Sequence, residues 1–205
     1  MKKLLLLIAV ACVAVIVAWK LFSGNEAKTV EEPKDQPLVI NSNSTVFDRS
    51  FSKLLSDYYS ISKALVEWDS SKADIAAKAL GQKADSLPFS ELKGDSSIIL
   101  TAQNLATSIS SEIKGFISET SLEQKRRSFN MLTDEMYNII RTVRFSGQKV
   151  YYIKCENAFK ESGEAYWLSS TNKITNPYLG SNHPTYKDSM VNNGDIVDSL
   201  DFVKK

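Results

Sequence analysis

Residues 47–68 read FDRSFSKLLSDYYSISKALVEW, and this stretch decides the class of fold. Its apolar residues recur mostly at intervals of three and four, which places them on one stripe of an α-helix. The stripe consists of Phe47, Phe51, Leu54, Leu55, Tyr58, Ile61, Leu65 and Trp68. We therefore predict a first helix over residues 47–68 that buries this stripe against other helices.

The same periodicity predicts three further helices, over residues 70–85, 96–118 and 121–144. Asp69 supplies N-cap chemistry for the second helix. The inward positions predicted for that helix are Ile75, Ala76, Ala79 and Leu80. Four amphipathic helices on short loops are typical of an antiparallel bundle, so the chain is predicted to be mainly α. One shared cluster is predicted to hold Phe51, Leu55, Leu105, Ile109, Phe129 and Met136.

The fourth helix carries a start signal and a basic run. Thr120 and Glu123 form a capping-box pattern, which predicts where the helix begins. Lys125-Arg126-Arg127 follows within its first turns and is interpreted as a solvated face.

After Gly147 the apolar period changes from helical to β-type. Residues 150–153 and 165–168 are short runs rich in aromatic and β-branched residues, separated by a loop with Gly163. They predict a β-hairpin in a small β/loop module over residues 147–205, packed on one end of the bundle and ending in a loose tail. The bundle itself is assigned to residues 46–146.

The N-terminus predicts a membrane segment. Lys2 and Lys3 precede a mainly apolar run over residues 4–22, near the length of about 20 residues that spans a bilayer. We predict a signal-anchor helix over residues 1–22 and a flexible linker over 23–45, with the remainder in the periplasm as a single-pass inner-membrane protein. A cleaved signal peptide, or a lipoprotein modified at Cys12, are the alternatives.

Composition excludes several classes of function. Without Lys2, Lys3 and Lys20, 22 basic residues stand against 24 acidic ones, so the chain lacks the charge of a nucleic-acid binder. The sequence has one histidine, His183, and contains neither a Gly-x-Ser-x-Gly elbow nor a phosphate-binding glycine loop. We therefore predict a protein that is not an enzyme.

Three motifs stand between residues 150 and 180, and a fourth follows. They are Tyr152-x-x-Cys155, Gly163-x-Ala165-Tyr166-Trp167-Leu168-Ser169, Ile174-x-Asn176-Pro177-Tyr178-x-Gly180, and Met190-Val191-Asn192-Asn193-Gly194. Together they resemble DUF3347, an uncharacterised family of exported bacterial domains. Some members are fused to, or encoded near, the periplasmic adaptors of copper and silver efflux systems. The resemblance implies a binding or adaptor role in heavy-metal homeostasis, with an efflux or envelope protein as partner.

The resemblance also implies a soft-metal site. Relatives carry sulfur residues suited to Cu(I) or Ag(I), and this chain keeps Cys155 and Met190, with His183 as a substitute. Asn157 and Asn193 stand where relatives have methionine and cysteine. Two alternatives therefore stay open: Cys155 is a small packing residue, and the protein is a metal-free structural or interaction domain of the envelope.

Overall fold

A computed structural model describes residues 43–159 and 163–203, all within one compact unit, Ile40–Lys205. The predicted membrane segment of residues 1–22 lies outside the described residues. Among the helices that are described, none is long and apolar enough to cross a membrane.

Four α-helices and a short 3-10 turn form the larger part of the fold. The helices are α1 (Thr45–Val66), α2 (Ser70–Asp85), α3 (Ser96–Ser118) and α4 (Leu122–Val143), with the turn at Phe89–Glu91. Each helix begins at a polar N-cap whose side chain accepts a hydrogen bond from the backbone N–H three residues later: Ser44, Asp69, Asp95 and Ser121. The predicted cap Thr120 is wrong by one residue, because Ser121 bonds both the N–H and the side chain of Gln124.

The helices pack as the predicted antiparallel bundle. Along α2 and α3, Gly81 lies against Ile113 while the later residue Asp85 bonds the earlier residue Ser110, so the two chains run in opposite directions. Tyr58 joins α1 to α4 through Thr133. The predicted cluster is confirmed, with Leu105 half-buried at its margin and the other five residues in one buried core.

The inward face predicted for α2 is confirmed at Leu80 and wrong at Ile75. Ile75 points to solvent with 69% of its surface exposed. The buried face holds small residues with Leu80: Ala73, Ala77, Gly81 and Ala84. Small side chains let α2 approach its neighbours closely; a Cβ on Gly81 would lie 3.1 Å from the side chain of Ile113. A larger residue such as Ile75 does not fit this contact, so it lies on the outer face.

The predicted β-hairpin is confirmed, and a third strand extends it to a three-stranded antiparallel sheet. Its strands are β1 (Val150–Phe159), β2 (Gly163–Ser169) and β3 (Asp195–Leu200), in the order β2-β1-β3. The predicted loose tail therefore contributes a strand. β3 shows no alternation of buried and exposed residues, because every residue except Leu200 is exposed. Pairing with β1, rather than burial of an apolar face, makes this segment a strand.

The sheet lies between the bundle and the long loop that precedes β3. On the bundle side, Leu168 N–H donates to Tyr58 Oη and Tyr152 Oη donates to Asp134. On the loop side, Gly194 lies over Trp167, since a Cβ at Gly194 would come within 2.5 Å of its ring.

Candidate functional site

Cys155 lies in β1 opposite Ala165 and is fully buried. Its thiol donates to Asn193 Oδ1, with the sulfur 3.6 Å from the oxygen. A metal needs an entry path and a deprotonated thiol. This thiol is enclosed, and it donates a hydrogen bond to the amide oxygen of Asn193. Its surroundings are those of a small packing residue.

His183 and Met190, the other two predicted ligands, lie in the loop before β3. His183 Nδ1 accepts hydrogen bonds from the N–H groups of Thr185 and Tyr186, and its ring meets the Trp68 ring edge-on at 5.8 Å. Met190 is half-buried against the core. Within residues 43–159 and 163–203, no group of three or more His, Cys, Asp or Glu residues is arranged to hold a metal ion. The ligand set of Cys155, Met190 and His183 stays a prediction.

The Asn176–Gly180 motif forms a tight turn that is organised by Asn176. This side chain is fully buried; its Oδ1 accepts from the N–H groups of Tyr178 and Leu179 at 2.8 and 3.1 Å. Its Nδ2 donates to the carbonyl of Asn193 at 2.7 Å. Asparagine suits this position because its short amide accepts through the oxygen and donates through the nitrogen.

This turn docks on the C-terminal end of α1. Ser181 N–H donates to the carbonyl of Val66 at 2.9 Å, and Trp68 Nε1 donates to the carbonyl of Leu179 at 3.1 Å. Gly180 has φ +62°, and a Cβ there would lie 2.5 Å from Trp68 Nε1. Only glycine satisfies both the backbone angle and the close approach.

The apolar spacing predicted Trp68 as the last member of the α1 stripe, and this prediction is wrong. The helix ends at Val66, and Trp68 adopts the left-handed conformation with φ 61°. Its N–H donates to Leu65 and the next N–H, of Asp69, donates to Ala64, which closes the helix end. The half-buried indole therefore projects sideways, toward α4 and the loop.

Arg126 in α4 completes the junction. Its guanidinium lies over the Trp68 ring, 4.1 Å from the centroid. Its Nε donates to the carbonyl of Pro177 at 2.9 Å and its Nη2 to the carbonyl of Leu65 at 3.0 Å. One side chain thus connects α4, the end of α1 and the Asn-Pro turn.

The interpretation of the basic run as a solvated face is wrong for two of its three residues. Lys125 is 3% and Arg126 5% exposed, and only Arg127 is at the surface. Lys125 pairs with Asp74 at 2.7 Å. For Arg126 the described residues offer no carboxylate within ion-pair distance. Burial lowers the pKa of Arg126 to about 10, partly opposed by the charge of Glu123.

A cavity of about 260 Å³ opens beside Arg126. Four rings line it together with the buried cation of Arg126: those of Trp68, Phe159, Tyr178 and His183. Thr185 also belongs to the lining. Sequence reasoning identified His183 and Tyr178 but missed the pocket. The sequence does carry a signal for it: Arg126 occupies a position on the core-facing side of α4.

The fold and this junction define a helical-bundle domain with a small β-sheet packed along α1 and α4. The model of a family described as a protein of unknown function, DUF3347, matches residues 54–147, which supports the resemblance that the motifs indicated. The match spans the helices and ends before the motifs on which the resemblance was based. No curated protein and no solved structure matches the chain.

Proposed function

We propose that the protein is a non-enzymatic binding module of the cell envelope, tethered to the inner membrane by residues 4–22, that acts as an adaptor in heavy-metal homeostasis. The basic start and apolar run of the N-terminus support the tether and an N-terminus in the cytoplasm. The match of residues 54–147 to the DUF3347 model supports the adaptor role, together with the association with copper and silver efflux that the resemblance implies.

The observation that carries a binding role is the way in which the C-terminal motif is used. Asn176, Tyr178 and Gly180 all hold the module against the bundle. The junction borders a concave site of mixed aromatic and cationic lining. Preformed concave sites with few polar groups are typical of ligand recognition.

Titration with Cu(I) tests the metal part of the proposal. The full chain in detergent micelles is titrated under a competing chelator, as wild type and as Cys155→Ser, Met190→Leu and Cys12→Ser. If Cu(I) is held by the predicted set, Cys155→Ser and Met190→Leu each weaken binding by about tenfold or more, and Cys12→Ser does not. Unchanged affinity in both of the first two variants contradicts the proposed ligands.

A metal-free interaction domain is the second candidate, and the environment of Cys155 favours it. The thiol is fully buried and bonded to Asn193, at the position where the resemblance leads one to expect a second cysteine. Affinity purification of the anchored chain from solubilised membranes distinguishes the two candidates. A partner recovered equally with and without a Cu(I) chelator supports the metal-free role, and one recovered only with Cu(I) contradicts it.

A further inference from the structure

The charge of Arg126 is incompletely compensated by the residues around it. Its Nε and Nη2 donate to the carbonyls of Pro177 and Leu65. Leu65 lies at the C-terminal end of α1, where helix carbonyls carry partial negative charge. A guanidinium has five N–H donors, and Nη1 has no hydrogen bond to any residue that the structure describes. A buried cation in this state is stabilised by an added anion.

The cavity lies beside this cation, and the indole of Trp68 forms part of its wall. The left-handed conformation of Trp68 closes the end of α1 and turns the indole toward both Arg126 and His183. The buried guanidinium and the cavity are two separate observations at one place.

The lining indicates the charge and shape of a ligand. Leu122 and Glu123, in the first turn of α4, border the cavity. The positive end of that helix dipole favours an anion, whereas the carboxylate of Glu123 disfavours a second negative charge. Phe159 and Tyr178 offer apolar ring surface. A volume of about 260 Å³ is just below the range of about 300–1,000 Å³ for drug-sized ligands, so the occupant is small.

We propose that this pocket binds the carboxylate of a small monoanion with an apolar or aromatic body, and that the carboxylate pairs with Arg126. The carboxylate belongs either to a free small molecule or to an acidic side chain of a bound peptide. This site goes beyond the proposed function, because it involves neither Cys155 nor a metal ion. Its failure would leave the Cu(I) result unaffected, and the converse also holds.

Calorimetric titration of the full chain in detergent micelles tests the proposal with three probes. Benzoate represents the free carboxylate, benzamide is its neutral counterpart, and a capped Ala-Glu-Ala tripeptide represents the side chain. Benzoate or the tripeptide is expected to bind saturably, and benzamide about tenfold more weakly than benzoate, because a charge-assisted hydrogen bond is lost. Binding of benzoate assigns the site to a free ligand, and binding of the tripeptide alone assigns it to an acidic side chain.

Three variants identify the site. Arg126→Met removes the cation, and Ala158→Met fills the cavity from β1 while every hydrogen bond of Arg126 remains. Arg49→Met is the matched control, since it removes an exposed arginine of α1 that does not line the cavity. The first two are expected to weaken binding of the carboxylate probe by about tenfold or more, and the control to leave it unchanged. If Arg126→Met does not fold, Ala158→Met decides. Equal binding of benzoate and benzamide, no binding of either carboxylate, or undiminished binding by Ala158→Met overturns the proposal.

Discussion

At the scale of single residues, Gly180 must satisfy two requirements at once, a backbone angle and a close approach. Its φ of +62° is unfavourable for any residue with a Cβ, and that Cβ would meet Trp68 Nε1 at 2.5 Å and the Val66 carbonyl at 2.7 Å. One of these contacts is with backbone, which cannot move away as a flexible side chain can. The glycine therefore decides whether the Asn-Pro turn docks on α1.

Gly180→Ala is expected to lower the free energy of unfolding by about 2–4 kcal/mol, because left-handed strain and overpacking add together. Gly115→Ala is the matched control: this glycine lies in α3 with nothing within 4 Å of its added Cβ. It should stabilise the protein by about 0.5–1 kcal/mol through helix propensity. Urea denaturation measures both, and a neutral Gly180→Ala contradicts the docking geometry.

The contact between Cys155 and Asn193 also makes a residue-scale prediction. In a Cys12→Ser background, Asn193→Cys is expected to form a disulfide with Cys155 on oxidation, since the two side chains already touch. A loop of this length, 38 residues, corresponds to a stabilisation of at most about 4 kcal/mol. Thiol titration and denaturation with and without reductant measure the bond. Asn192→Cys is the control, and equal oxidation of the two variants would argue against the register.

At the scale of elements, the outer edge of β2 is closed by side chains. Tyr166 N–H donates to Asn130 Oδ1 at 2.7 Å and Leu168 N–H to Tyr58 Oη at 3.0 Å, while Tyr178 Oη donates to the Tyr166 carbonyl. Unpaired strand edges invite pairing with other chains. All three bonds block one edge of the sheet, and the bonds to Asn130 and Tyr58 also fix the sheet to the bundle.

Asn130→Ala should expose this edge. We expect a loss of about 1–3 kcal/mol in the free energy of unfolding, because the Tyr166 N–H is left without its acceptor. Faster hydrogen exchange at the Tyr166 amide is the local sign of the same change. Asn138→Ala, at an exposed position of the same helix, is the control and should leave that exchange rate unaltered. Unchanged exchange in both variants would show that the bond contributes nothing.

At the scale of the whole molecule, the bundle and the C-terminal module share one core. Tyr58 and Phe129 pack on each other at 5.1 Å, and Phe129 meets Tyr178 of the module at 6.1 Å. The family match ends at residue 147, yet the contacts that complete the bundle come from beyond it. The two parts should therefore unfold together.

A chain that stops after Gly147 is expected to lose cooperative unfolding and near-ultraviolet circular dichroism while it keeps helical content. The reason is that aromatic core residues of α1 and α4 lose their packing partners in the module. A chain without Lys204 and Lys205 is the truncation control and should unfold in a single transition. Native-like unfolding of the shorter chain would show that the bundle is an independent domain.

The amino-acid sequence by itself determined the four helices and their antiparallel core. Apolar spacing and polar caps are local signals, so each helix is specified by its own segment of sequence. The helix bounds differ from those predicted by at most two residues. The same signals identified the motif turn and the β-type runs. These signals did not identify the buried face of α2, because two of its faces have similar apolar spacing. The close approach of the neighbouring helices buries the face with the alanines and leaves Ile75 exposed.

Only the tertiary structure decided the rest. β3 is a strand because β1 lies beside it, and no apolar alternation of its own marks it. Arg126 is buried because carbonyls of two distant segments converge on it, and burial of a charge depends on partners that are far apart in sequence. The pocket beside Arg126 is lined by four separate parts of the chain. Its geometry is a property of their packing, which local periodicity does not encode.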